Sequence, residues 1–392
     1  MKEVRVAIVG AGWMGRAHAT AFRSVPMVFG PDPAVPVLEV AVDINPESAR
    51  TLAEAFGFKR WSSDWREVLN DPAIDVVDIT TPNDMHPTIA IAAAKAGKHI
   101  YCEKPLANSY AEAKEMAEAA DAAGVLTLVG FNYLKNPAQG YARQVIESGE
   151  IGDIIQFRGT FDQDFMTDPK VPFSWRQNRA MAGSGSLGDM ASHTLSLSKY
   201  LVGDIAEVCG MTATYIKQRS DASSGSGMGA KADPNAKMRT VENDDVCQFL
   251  IRFESGAMGY IEASRLGTGR KLLLGYEIQG TKGALIYTQE RMNEIQLYRH
   301  TDPPAERGYK TIYIGPAHPN YAAFFPLPGI GLGYNDQKIV EAHDLMVAVA
   351  TGKPAFPDFR FGLEINRVVD SVLLSDRERR WVRPAEMDEK RN

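Results

Sequence analysis

The stretch VRVAIVGAGWMGRAHATAF, Val4 to Phe22, decides the fold of the first third of this 392-residue chain. Val4 to Val9 is an apolar run of strand length, the pattern of a strand buried on both faces. It meets Gly10-Ala11-Gly12-Trp13-Met14-Gly15, and a helical pattern follows to about Arg23. A GxGxxG recurs by chance, but between a strand and a helix it reads as a dinucleotide cradle. Gly10 permits the tight turn, Gly12 lets the backbone approach a pyrophosphate, and Gly15 lets helix pack on strand. The free N–H groups at the helix start then face phosphate charge.

Working outward, Leu38 to Val42 is a second strand that ends at Asp43. A carboxylate here suits a ribose diol and repels the 2′-phosphate of NADP. Ile44 and Asn45, which follow, bring no cation, so NAD is the expected cofactor. Ser24 to Pro36, with four prolines, reads as a loop insertion. Strands are expected again at 75–80, 99–102 and 125–130, with helices at 87–96 and 112–123. Each strand is followed by a polar cluster: Thr81-Pro82-Asn83-Asp84-Met85-His86, Glu103-Lys104-Pro105 and Phe131-Asn132-Tyr133. In an open parallel sheet that edge is where ligands bind. His86 is expected in the cofactor loop or at the helix start, not as a base.

The composition, 44% hydrophobic and 23% charged with a formal net charge of −6, is that of a globular protein. No basic run points to nucleic acid, and no run of about eighteen apolar residues points to a membrane. The chain enters a strand at once, leaving no space for a signal peptide. Cys102, Cys209 and Cys247 are odd in number and far apart, against a disulfide framework or zinc knuckle. The histidines lack metal-ligand spacing, so no metal is expected. The expectation is a reduced, cytoplasmic protein.

From Ile151 the period changes to that of strands: 154–161, 246–253, 256–263 and 272–279, with hairpin signals at 254–256 and 280–283. The fold class is α/β. A doubly wound parallel-sheet domain, residues 1–130, precedes an α/β domain, 131–392, with an open, mainly antiparallel sheet. Helices near 336–350 and 361–374 are expected to brace the first domain. An open sheet face favours a homodimer or homotetramer. The Gly-, Ser- and Ala-rich segment 220–236 reads as a mobile loop.

Gly183 to His193, GSGSLGDMASH, carries the chemistry of the second part. Asp189 and His193 lie four residues apart on one helix face, where a carboxylate raises imidazole basicity and suits a general base. A helix-start acid beside a structural histidine fits the spacing equally well. Lys104, at a strand end, can steady a developing alkoxide or pair with Glu103 at the surface.

Together, Gly10 to Gly15, Thr81-Pro82-Asn83 with His86, Glu103-Lys104-Pro105 and the Asp189/His193 pair resemble the Gfo/Idh/MocA oxidoreductases. The resemblance covers nearly the whole chain and implies a Rossmann domain, NAD(P) and catalytic roles for Lys104, Asp189 and His193. Residues 157–164, 174–176, 315–319 and 331–334 look like the levoglucosan and inositol dehydrogenase branch of that family. That likeness implies Gly10, Ala11, Gly12, Trp13, Met14, Asp43, Ile44, Thr81, Pro82, Asn83, His86, Glu103, Lys104, Asn132, Trp175 and Arg176 at the cofactor. It implies Tyr133, Gln163 and Asn335 at a sugar. Two positions depart from the family pattern: Leu134 where relatives often carry Arg, and Ser196 where many carry Asp.

The function expected is NAD-dependent oxidation of a secondary hydroxyl of a sugar, anhydrosugar or cyclitol. One alternative is an NAD-dependent glycoside hydrolase working through transient oxidation and elimination. An acidic glycoside would then want cations such as Lys170, Arg176, Arg179 or Arg265. A second alternative is a non-catalytic nucleotide-bound regulator.

Overall fold

The computed structural model describes residues 2–224, 231–233 and 235–389. The chain divides into two compact units, Met1–Pro137 with Gly315–Glu364, and Ala138–Ile314 with Ile365–Asn392. Among the described residues no helix is long and apolar enough to cross a membrane.

The first unit alternates strand and helix: β1 (Lys2–Val9), α1 (Trp13–Val28), β2 (Ala34–Val42), α2 (Pro46–Phe56), β3 (Arg60–Ser62), α3 (Arg66–Leu69), β4 (Val76–Ile79), α4 (His86–Lys95), β5 (His99–Cys102), α5 (Tyr110–Ala123) and β6 (Thr127–Val129). All six strands are parallel, in the order β3-β2-β1-β4-β5-β6. The strand order reverses between β1 and β4, so the Gly10 turn and the Thr81 loop flank the switch point.

The proline-rich stretch is not a long insertion. Helix α1 continues to Val28 with Pro26 in its last turn, and β2 already begins at Ala34. A proline that late removes only one hydrogen bond from the end of the helix. Pro36 pairs with Val4 of β1, whereas β3 joins β2 only from Val40 onward, so Pro36 stands at a locally open edge.

In the second unit, α6 (Pro137–Glu147) leads to β7 (Ile154–Asp162), α7 (Arg179–Ala182), α8 (Ser192–Leu201) and β8 (Ile205–Ala213). Four short strands follow, β9 (Gln218–Ser220), β10 (Ala222–Ser224), β11 (Lys231–Ala232) and β12 (Met238–Thr240), paired antiparallel as β9 with β12 and β10 with β11. The expected loop at 220–236 is thus partly hairpin, because backbone pairing needs no particular side chains. Residues 225–230 and 234 of that segment lie outside the described residues.

The remaining strands are β13 (Val246–Phe253), β14 (Met258–Ser264), β15 (Leu273–Gly280), β16 (Gly283–Thr288), β17 (Glu294–Arg299) and β18 (Lys310–Tyr313). They join β7 and β8 in an eight-stranded sheet, β18-β17-β16-β15-β7-β14-β13-β8, antiparallel except between β7 and β14. In β13 Cys247, Phe249, Ile251 and Phe253 face inward and Gln248, Leu250 and Arg252 face out. Helix α8 packs on β7 and β15.

The chain ends with α9 (Tyr321–Phe324), α10 (Tyr334–Thr351), α11 (Phe359–Glu378) and α12 (Glu386–Glu389). Helix α10 belongs to the first unit: Ile339, Ala342, Leu345 and Met346 share a core with Val4, Val6, Phe22 and Leu38. Helix α11 crosses from the first unit to the second at Glu364.

Candidate active site

The glycine turn is locked by sterics. Gly10 has φ +112, and a Cβ there would stand 2.7 Å from the Thr80 backbone; one on Gly15 would stand 2.0 Å from the Gly10 oxygen. A Cβ on Gly12 would meet nothing within 4 Å. Gly12 is also the N-cap of α1, which has no side-chain cap and no acid in its first turn. The turn therefore presents open backbone and helix N–H groups, which fits a pyrophosphate.

Asp43, at the end of β2, accepts from Ala11 N–H at 2.8 Å and from Asn45 N–H at 2.9 Å. It buttresses the turn. Beside it, Ile44 is 92% exposed. Trp13, also exposed, stacks on Tyr334 of α10 at 5.7 Å, and the Tyr334 hydroxyl lies 4.0 Å from the Met14 sulfur. Tyr133 packs edge-on to the same Tyr334 ring and is nearly buried. Asn335, next along α10, is exposed.

Four of the residues implied at the cofactor, Asn83, His86, Glu103 and Asn132, have buried side chains. His86 is fully buried at the start of α4, its ring between the carbonyls of Pro105 (3.0 Å) and Thr81 (3.1 Å). Burial holds its pKa below the ordinary value. It ties together the loops after β4 and β5, between the partly exposed Thr81 and Pro82, the buried Asn83 and Lys104. Asn132 is 1% exposed and donates to Gln337 at 2.9 Å. Glu103 is buried as well, at the centre of a charge cluster that sequence reasoning missed.

In that cluster His18 Nε2 meets Glu103 Oε1 at 2.9 Å while Nδ1 faces both oxygens of Asp78 at 2.9 Å. Lys338 Nζ donates to Glu103 Oε1 at 2.6 Å and pairs with Glu341 Oε2 at 2.9 Å. Tyr101 donates to Glu341 at 2.6 Å and stacks on His18 at 4.5 Å. Burial pushes the His18 pKa down, but the Asp78 charge and the carboxylate hydrogen bonds outweigh it and lift it to about 9. Burial pushes Glu103 up, yet Lys338 and His18 hold it well below the ordinary carboxylate range. Glu341 and Asp78 are both raised by burial. The Glu103 Oε2 accepts from Lys104 N–H at 3.2 Å, and Lys104 itself is half-buried. Glu103 is thus engaged from the inside by His18 and Lys338.

In the second unit Leu187–Ala191 forms a π-helical turn that runs into α8, so the segment that carries Asp189 and His193 is not a plain α-helix. Asp244 holds this turn: it accepts from Gly185 N–H at 2.6 Å, Leu187 N–H at 2.8 Å and the Ser186 hydroxyl at 2.7 Å. A Cβ on Gly185 would lie 1.8 Å from the Asp244 carbonyl oxygen, so that turn also needs glycine. His193 is 4% exposed and packs by Phe161 at 5.9 Å. Ser196 donates to the His193 carbonyl at 2.7 Å. The Asp189 carboxylate lies 3.9 Å from Arg176 Nε, and Arg176 stacks over Trp175 at 4.5 Å. Gln163 donates to the Lys271 carbonyl at 3.0 Å.

Arg265 is not a surface cation. It is 1% exposed and donates to the Asp244 carbonyl at 2.6 Å and to Asn243 at 3.0 Å. Lys170 and Arg179 are exposed, with Arg179 held by the Glu242 carbonyl. Among the described residues no group of His, Cys, Asp and Glu could hold a metal ion.

Residues 4–131 match the model of the oxidoreductase family with an NAD-binding Rossmann fold, and 140–286 match the GFO/IDH/MocA C-terminal domain. This chain belongs to the Gfo/Idh/MocA family. As a member it is an oxidoreductase with NAD as its cofactor, and the Gly10–Gly15 turn and Asp43 have the chemistry to hold it. It is 42% identical to a levoglucosan dehydrogenase of Pseudarthrobacter phenanthrenivorans, over 97% of this chain and 98% of that protein. It is 32% identical to scyllo-inositol 2-dehydrogenase (NAD(+)) of Bacillus subtilis, over 75% of this chain and 77% of that one. Among solved structures, levoglucosan dehydrogenase in complex with NADH and levoglucosan matches at a TM-score of 0.92, covering 97% of this chain and 99% of the other.

Proposed function

We propose that this oxidoreductase removes hydride from a secondary hydroxyl carbon of an anhydrosugar, with levoglucosan or a close analogue as substrate. The 42% identity spanning both proteins almost end to end carries this reading. When bound, NAD supplies the hydride acceptor. His193 takes the hydroxyl proton, with Asp189 and its neighbour Arg176 setting the charge around it. Lys104 stabilises the negative charge that grows on the substrate oxygen. Asp43 and the glycine turn hold the adenosine half of the cofactor, and Trp175 with Arg176 contribute to its binding. Tyr133, Gln163 and Asn335 contact the sugar. Buried Leu134 and Ser196 bring no charge to these positions, which favours a neutral substrate.

We further propose a homo-oligomer joined through the outer face of the eight-stranded sheet. The thiols Cys102, Cys209 and Cys247 suit a reducing, cytoplasmic setting. The test follows NADH and sugar product together, with purified protein, NAD and a panel of levoglucosan, free sugars, inositols and glycosides. NADH rising in step with a keto-anhydrosugar supports the proposal. Aglycone release without NADH, or no turnover of any sugar, overturns it. Lys104→Ala and His193→Ala should each lower kcat by about 10²-fold or more.

A further inference from the structure

Building on the role given to Lys104, we propose that His18 and Lys338 are positioning residues for the reaction: they clamp Glu103, and Glu103 holds the Lys104 backbone in place. Three donors converge on one buried carboxylate: His18 Nε2 at 2.9 Å, Lys338 Nζ at 2.6 Å and Lys104 N–H at 3.2 Å. Two of them are buried side chains from separate helices, α1 and α10, and the third is the backbone of the loop after β5. The partners are themselves fixed. Asp78 grips the far side of the His18 ring with both oxygens, Tyr101 stacks on its face, and Glu341 holds Lys338. Glu103 also packs close against Gly130, where a Cβ would stand 2.8 Å from its Oε1 and crowd it.

Stability alone is a poor reason for this arrangement. Replacing buried ions with packed apolar groups is often neutral or stabilising, so five ionisable side chains beneath one loop call for a role in orientation. The role follows from where the chain leads. Helix α1 starts at the glycine turn, and His18 lies on it five residues after Trp13. The clamp therefore joins the phosphate-facing helix and the Lys104 loop into one rigid body, so that Lys104 and the cofactor turn keep a fixed spacing. A misplaced catalytic group costs rate even when binding survives.

Two variants test this in the full-length protein. Glu103→Gln leaves one acceptor oxygen for three donors. The double variant Lys338→Met with Glu341→Gln removes a cation and a carboxylate together, and serves if Glu103→Gln does not fold. Deuterium exchange at the Lys104 amide is measured without cofactor, and kcat and KM are measured with NAD and levoglucosan. We expect amide exchange and loss of kcat each to change by about tenfold or more, while KM for NAD moves less than about threefold. Folded variants with unaltered exchange overturn the clamp. Faster exchange with unaltered kcat, or a rise confined to KM, overturns the positioning role. Lys104→Ala stands apart: if it keeps wild-type kcat, the assignment of Lys104 itself is wrong, whatever the exchange data say about the clamp.

Discussion

At the scale of single residues, Asp43 does two jobs with one carboxylate. Its Oδ2 fastens Ala11 of the glycine turn, and in the cofactor role proposed for it its negative charge would repel a 2′-phosphate. Asp43→Ala should therefore raise KM for NAD and narrow the NAD-over-NADP ratio of kcat/KM by about tenfold or more, checked by steady-state kinetics with both cofactors. His18 is the second telling residue. Its folded pKa, about 9, lies above the 6.5 of a free imidazole, so folding favours the protonated form. Its contribution to stability is fully present below about pH 6.5 and is lost as pH rises through about 9. Melting temperature should fall between pH 7 and 10 in the native protein. In His18→Gln it should start lower and stay flatter over the same range. Equal slopes in calorimetric scans would mean that His18 does not hold its proton in the folded state.

At the scale of elements, the turn that carries Asp189 depends on a residue far along the chain. Asp244 supplies three side-chain acceptor contacts to 185–187, doing the work of an N-cap for a π-helical start. Asp244→Ala strands those donors in a buried place and should cost about 2–4 kcal/mol of stability, together with a larger fall in kcat than in cofactor affinity. Denaturant melts and NAD titrations would separate the two effects. What was legible in the sequence follows the same division. Strand, glycine turn and helix could be read from Val4 to Phe22 because their geometry is local. The Glu103 cluster could not, because its hydrogen bonds join residues 60, 85 and 235 positions apart. Asp244 escaped for the same reason. The prolines at 26 and 36 misled because tolerance of proline depends on how near a helix end or an open sheet edge it falls, which composition does not reveal.

At the scale of the whole molecule, alternation along the strands revealed an open sheet but not what it presents. The structure aligns Leu250 with Tyr260 and Cys209, Arg252 with Met258, and Gln248 with Met211 on the outward side. Met211, Leu250 and Met258 are each more than half exposed, at 59%, 53% and 55%, and Tyr260 is 39% exposed. Ion pairs such as Arg252–Glu207 and Arg158–Glu277 border these apolar side chains. An apolar centre with a charged surround is the composition of a protein interface, and helix α8 leaves it uncovered because it packs on the opposite face. Leu250→Glu with Tyr260→Glu sets two like charges directly across from each other at that centre. Since both side chains already meet solvent within one chain, the fold should lose no more than about 1 kcal/mol. Sedimentation equilibrium should find the native chain associated at micromolar concentration and the double variant monomeric. A native monomer would remove the outer sheet face as an assembly surface, and an associated double variant would place the contact elsewhere.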